Sequence, residues 1–222
     1  MNSTRPESLY ALNMLSRHTQ SPTVHDMKVM DRVLQYIAGT PHLGLTFSST
    51  EGVILYATVD ASYANHIDRK SHSGCTLHIG RTSGAFLSRS KKQTITADSS
   101  TVAELIAAHL ATKEIMWARS MLAEMGYPQI NPTILFEDNM STIHIINNDC
   151  NSQKTKHIDI RYNVVREQVQ NNQIGMVHLG TKDMTSDILT KAVGPTTFIH
   201  LRRKLPGMYR YLKLSYIHQL FI

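Results

Sequence analysis

Apolar residues near the start of the chain recur at helical spacing. Leu9, Leu12 and Leu15 follow Pro6, which suits a helix start, and Ser21-Pro22 interrupts the pattern. Met27, Met30, Val33, Leu34, Tyr36 and Ile37 resume it and stop at Gly39-Thr40-Pro41. Residues 1–43 therefore read as two amphipathic helices. After Gly44 the period shortens to that of strands. Leu45–Ser48 and Val53–Asp60 are predicted strands, and Ser73–Ile79 with Ala85–Ser90 form a predicted antiparallel hairpin across Gly80 to Gly84. A long helix follows, Thr101–Met125, apolar on most faces and ended by Gly126 and Pro128, with Trp117 expected in the core. Beyond it, strand Thr133–Phe136, helices Asn139–Asn147 and His157–Gln170, strand Gly175–Leu179 and a helical pair over Ser186–Leu205 alternate. The sum is an α/β domain, a mixed sheet flanked by helices and preceded by a helical hairpin. The segment 208–222 is aromatic-rich and unpatterned, and stays unassigned.

The chain has 222 residues, a formal charge of +6 and a pI of about 9.3, a balance that favours a polyanionic partner. Its basic residues cluster at Arg69-Lys70, Arg89 with Lys91-Lys92, Lys154 with Lys156, and Arg202-Arg203-Lys204. A solvated basic surface explains each cluster alone. Cys75 and Cys150 are far apart and form no Cys-x-x-Cys pair, so neither a disulfide framework nor a thiolate zinc site is expected. The 12 histidines show no metal-ligand spacing. The polar start, Met1 to Glu7, has no apolar signal region, and no apolar run approaches the ~20 residues of a membrane span. The expectation is an intracellular protein, cytoplasmic or nuclear, that neither is secreted nor touches a membrane.

Four acids fall where strands end or helices begin: Asp60, Glu104, Asp138 and Asp187. Each has a local explanation. Asp60 can enter a turn after its strand. Thr101-x-x-Glu104 is a capping-box pattern. Asp138 or Asn139 can cap the following helix, and Asp187 in the first turn of a helix suits the helix dipole. Strand alternation turns Glu137 to the face opposite Asp138. The local explanations do not say why all four acids fall at edges that a mixed sheet brings together. At an effective dielectric near 20, two like charges ~4 Å apart repel by roughly 4 kcal/mol, so four converging acids need cations.

The motifs around these acids resemble a known family. Val59-Asp60-Ala61-Ser62-Tyr63, Asp68-Arg69-Lys70-Ser71-His72-Ser73-Gly74, Ser90-Lys91-Lys92-Gln93, Ser99-Ser100-Thr101-Val102-Ala103-Glu104, Glu137-Asp138-Asn139, Thr155 to Tyr162 and Asp187-Ile188-Leu189-Thr190-Lys191 resemble, in order, the ribonuclease H domain of copia-type retrotransposon polyproteins. The likeness covers residues from about 50 to 207. Thr4-Arg5-Pro6 and Arg32 to Tyr36 with Gly39-Thr40-Pro41 resemble the connection region of the same polyprotein's reverse transcriptase.

The resemblance implies a ribonuclease H-like fold with a mixed five-stranded sheet, in three parts: a helical reverse-transcriptase remnant over 1–43, the ribonuclease H-like domain over 44–207, and a tail over 208–222. It implies that Asp60, Glu104, Asp138 and Asp187 hold two Mg2+ ions, or Mn2+ in their place, and cut the RNA strand of an RNA/DNA hybrid. Lys91, Lys92, Lys156, His157 and Arg161 are the expected nucleic-acid contacts. Reverse transcriptase and other products of the polyprotein are the expected protein partners. Two positions depart from the family: Ser62 stands where an acid is usual, and Val102 where Glu is usual. The chain also has no Tyr-x-Asp-Asp polymerase motif and reads as a fragment of an element. The alternative is a catalytically inactive remnant that only binds nucleic acid. An integrase-like strand transferase uses three acids, and Asp187 with Thr190-Lys191 speaks against it.

Overall fold

The computed structural model describes residues 4–48, 52–80, 83–148 and 156–205, with only the backbone of 156–159. The expected tail, Cys150 and the side chains of Lys156 and His157 lie outside the described residues. Five strands form one sheet in the order β3-β2-β1-β4-β5. They are β1 (Leu55–Ser62), β2 (His72–Ile79), β3 (Ala85–Lys92), β4 (Thr133–Glu137) and β5 (Ile174–His178). β1 runs antiparallel to β2 and parallel to β4, β2 antiparallel to β3, and β4 parallel to β5. This is the mixed five-stranded, ribonuclease H-like arrangement that the motifs imply.

The helices are α1 (Leu9–Ser16), α2 (Val24–Gly39), α3 (Ser100–Glu124), α4 (Met140–Asn147), α5 (Lys156–Gln170) and α6 (Pro195–Lys204). Strand alternation sorts β1 onto two layers. Leu55, Ala57 and Val59, with Cys75 and Leu77 of β2, pack against Ala103, Ala107, Ala111, Ile115 and Ala118 of α3. Small side chains let α3 lie close to the sheet, and burial of this interface is the main apolar gain of the fold. On the other face Tyr56 and Phe136 meet Leu179 and Met184. There Thr58 shares hydrogen bonds with Thr76 and with Ser186 of the 3-10 turn Thr185–Leu189. Leu9 of α1 joins Ile188, Leu189, Leu201 and Leu205 in a further apolar cluster. The amino-terminal helices thereby seat against α6: Arg202 donates to Tyr36 Oη at 3.2 Å, and Tyr36 meets Phe198 edge-on at 5.8 Å.

Three expectations need correction. Leu45–Ser48 is not a strand; it gains only single bonds, such as Gly84 N–H to the Thr46 carbonyl at 2.7 Å. The first member of the predicted last helical pair is the 3-10 turn Thr185–Leu189. Trp117 is not core but 53% exposed, because the helical spacing places it with Lys113, Ser120 and Glu124 on the outer stripe of α3. No helix among the described residues is long and apolar enough to cross a membrane.

Candidate active site: a carboxylate cluster at the sheet edge

Asp60 lies in the central strand, in register with Gly74 of β2, and its carboxylate is buried. Glu104 comes from the first turns of α3 and is also buried. The capping-box explanation for Glu104 fails: Ser99 caps α3 by accepting a hydrogen bond from Val102 N–H, which moves the helix start upstream and leaves Glu104 free. Asp138 follows the parallel neighbour β4. Asn139 takes the cap of α4 instead, accepting from Thr142 N–H at 3.0 Å, so Asp138 has no capping duty. Asp138 is half-buried and accepts a hydrogen bond from Thr181 Oγ1 at 2.8 Å. One oxygen each from Asp60, Glu104 and Asp138 lies within 4.8 Å of the others.

Asp187 reaches the group from the 3-10 turn Thr185–Leu189, where it is buried. It meets the Asp60 carboxyl directly in a side-chain hydrogen bond, and the Lys191 ammonium, 2.8 Å from Asp187 Oδ1 and 4.0 Å from Asp60 Oδ2, bridges the two. Thr190 Oγ1 donates to Asp60 Oδ2, so consecutive residues after the turn both bind the acids. Neither residue was assigned a role from the sequence, although Asp187 and Lys191 stand at the i,i+4 ion-pair spacing.

Burial dominates the electrostatics. It pushes the Asp60 carboxyl up to about 7, helped by the Asp187 charge and opposed by Lys191 and Thr190. Burial also raises Glu104 well above the usual carboxylate range, with the charges of Glu137, Asp60 and Asp138 adding to it. Asp187 is raised by burial against the pull of Lys191. Glu137 is a fifth acid whose role was missed. Its strand does turn it to the α3 layer, two residues past Leu135, but Glu104 enters the cluster from that same layer. Glu137 is fully buried, accepts from Asn139 N–H at 3.1 Å, and burial raises it well above its ordinary value. Two adjacent acids at a strand end were the available signal.

Glu104 Oε2 is buried without a hydrogen-bond partner among the described residues. An unpaired buried carboxylate oxygen beside two more carboxylates is costly unless a cation balances it. An all-oxygen donor set of this kind suits a hard divalent ion such as magnesium, so the residues present fit the expected group.

The expected nucleic-acid contacts separate. Lys91 is exposed at the end of β3. Lys92 points its ammonium into an ion pair with Asp68 at 2.6 Å. Arg161 is half-buried on α5 beside α3, where its charge helps depress His109. Gln93, just after β3, was also given no role. Its amide donates to Ser73 Oγ at 2.9 Å and to the Ala103 carbonyl at 2.8 Å, fixing the start of α3 next to Glu104. The departures from the family pattern have structural places: Ser62 closes β1 opposite His72, and Val102 is buried against the core.

No protein-family model matches the chain. It is 32% identical over 203 residues to the retrovirus-related Pol polyprotein from transposon RE1 of Arabidopsis thaliana, covering 91% of this chain and 14% of that protein. It is 33% identical over 207 residues to the Pol polyprotein from transposon TNT 1-94 of Nicotiana tabacum, covering 93% and 15%. The chain thus spans about one seventh of the curated relatives it matches. Among solved structures it is similar to RNase H1 from Halobacterium salinarum NRC-1, with TM-score 0.45, 14% identity, and 61% and 93% of the two chains covered. It is also similar to LC11-RNase H1 in complex with an RNA/DNA hybrid, with TM-score 0.48, 10% identity, and coverage of 61% and 93%. Over nine-tenths of its length the chain is homologous to the Pol polyproteins of copia-type retrotransposons.

Proposed function

We propose that the chain is a metal-dependent ribonuclease H-type endonuclease that hydrolyses the RNA strand of RNA/DNA hybrids. The observation that carries this reading is the meeting of Asp60, Glu104 and Asp138 within 4.8 Å at one sheet edge. Asp187 and Lys191 complete the group from the neighbouring turn. Bound magnesium would supply Lewis acidity and neutralise charge on the phosphate. The chain's own part is to hold it: Asp60, Glu104 and Asp187 from a buried floor, and Asp138 from the solvent side.

The substrate reading rests on the homology, on the net charge of +6 and on the exposed Lys91 near the end of β3. Hybrid recognition would use backbone shape and the 2′-hydroxyl rather than base edges. In the same reading, residues 1–43 are the remnant of the reverse transcriptase connection, residues 44–207 the nuclease domain, and residues 208–222 a tail. Reverse transcriptase or another product of the polyprotein is the protein partner, and the compartment is cytoplasmic or nuclear.

The test is cleavage of a strand-labelled RNA/DNA hybrid in magnesium or in EDTA, with Asp60→Asn and Glu104→Gln alongside. Magnesium-dependent cutting of RNA alone, lost in both variants while circular dichroism shows intact folding, is the expected result. A folded wild-type protein that retains the hybrid but never cuts it would mark a remnant that only binds.

A further inference from the structure

Five acids converge at this sheet edge, Asp60, Glu104, Glu137, Asp138 and Asp187, and among the described residues a single cation answers them. Lys191 Nζ is 2.8 Å from Asp187 and 4.0 Å from Asp60, and no other described basic side chain forms an ion pair with any of the five. Its side chain is about one-third exposed, and its charge also acts on Glu104 and Asp138. Thr190, its neighbour, is fully buried and anchored to Asp60 and to the Asp187 carbonyl. The backbone is therefore held while the long Lys191 stem can swing toward solvent. An ammonium between two buried carboxylates does part of what a metal cation would do there: it offsets like-charge repulsion.

We propose that Lys191 is the resident counter-cation of the metal-free site, holding Asp60 and Asp187 together and giving way when divalent ions bind. The inference rests on the metal-dependent reading above. Its consequence is a competition. The Lys191 charge sets how much magnesium the site needs, and the displaced ammonium becomes free at the edge where substrate phosphates would lie.

The test measures binding rather than turnover. Mn2+ affinity of the wild-type protein, Lys191→Met and Lys191→Arg is read by calorimetry and by loss of the free-ion spin-resonance signal. Lys191→Met should bind Mn2+ about tenfold more tightly, because a like charge has left the site, while Lys191→Arg should stay near wild type. Equal or weaker binding by a folded Lys191→Met would overturn the proposal. A second measurement needs no variant: brief amine acylation of the wild-type protein, followed by peptide mass spectrometry. Lys191 should be labelled several-fold faster with saturating Mg2+ than in EDTA, with Lys91 unchanged as the internal standard. Unchanged or slower labelling in a protein that binds the ion would also overturn it. A wild-type protein that binds neither Mn2+ nor Mg2+ would instead remove the metal-dependent reading itself.

Discussion

Gly74 lies against Thr190 with no room between them. A Cβ at position 74 would sit 2.7 Å from Thr190 Cγ2, 2.8 Å from Leu189 Cβ and 3.0 Å from the Ser186 carbonyl. Gly74 is also the register partner of Asp60. The missing side chain lets the turn Thr185–Leu189 rest on the sheet, and that contact brings Asp187 to Asp60. Gly74→Ala is expected to lose about 1–3 kcal/mol in urea unfolding through overpacking, and to weaken divalent-ion binding as well. Unchanged stability would show that the turn yields freely.

The acid cluster should cost stability when no metal is bound. Glu104 is buried, has an unpaired Oε2 and faces the charges of Glu137, Asp60 and Asp138. Glu104→Gln removes a charge without changing shape, so the metal-free protein should gain on the order of 1 kcal/mol at pH 8. Thermal unfolding in EDTA measures this. The same variant should lose the stabilisation that Mg2+ gives the wild type.

A directional hydrogen-bond chain should make the fold acid-sensitive. Ser90 Oγ donates to the Leu189 carbonyl, so it accepts from His72 Nε2–H; His72 Nδ1 then accepts from His66, whose Nδ1 accepts from Arg17. His78 donates from Nδ1 to the Ser83 carbonyl and accepts from Thr76. The chain through His72 and His66 requires neutral rings, and burial keeps His78 neutral as well. Burial pushes His72 down to about 3, with the charges of His66, Arg17 and Lys92 adding to it, and burial pushes His78 down to about 4. The unfolded chain takes up these protons first, so the stability from neutral burial is complete above about pH 6.5 and is lost as pH falls below it. Each histidine contributes at most about 1.4 kcal/mol per pH unit. The raised acids of the cluster act in the opposite direction, so the comparison is urea unfolding of wild type and His78→Gln at pH 7.5 and 5.5. The variant should show the smaller acid loss.

Arg119 is a structural cation. Its guanidinium donates to the Gln129 carbonyl at 2.7 Å, the Asn131 carbonyl at 3.0 Å, Thr133 Oγ1 at 3.0 Å and Gln173 Oε1 at 3.1 Å. It ties α3 to the starts of β4 and β5. Lysine cannot reproduce that planar fork, so Arg119→Lys is expected to cost about 2–4 kcal/mol in chemical unfolding. Cleavage per folded molecule should stay the same.

Lys91 and Lys92 should differ in nucleic-acid binding despite being adjacent. Lys91 is exposed, whereas Asp68 already neutralises Lys92. Lys91→Ala should weaken binding to a hybrid and lower the slope of log affinity against log salt by about 1. Lys92→Ala should change both less. Fluorescence anisotropy across a salt series reads the two directly.

Periodicity and motif order determined a good deal by themselves. They showed the two leading helices, the β2–β3 hairpin, the long α3 and the strand–helix alternation after it, because burial periods of 2 and 3.6 are local properties of a chain. The four acids were legible for the same reason, each falling near the end of an element rather than at its middle. What a residue does after its boundary was not local. Ser99 rather than Thr101 caps α3, so Glu104 is free for the cluster. Trp117, apolar in an apolar helix, falls on the outer stripe because the alanines of α3 already fill the contact with the sheet. Glu137 belongs with Glu104 because α3 crosses the sheet edge at that point, a relation between segments 33 positions apart. Lys191 and Thr190 bind Asp60 across more than 120 residues because Gly74 leaves space for their turn. Local pattern decides which face of an element is buried; only packing between distant elements decides which charges are forced to share that space.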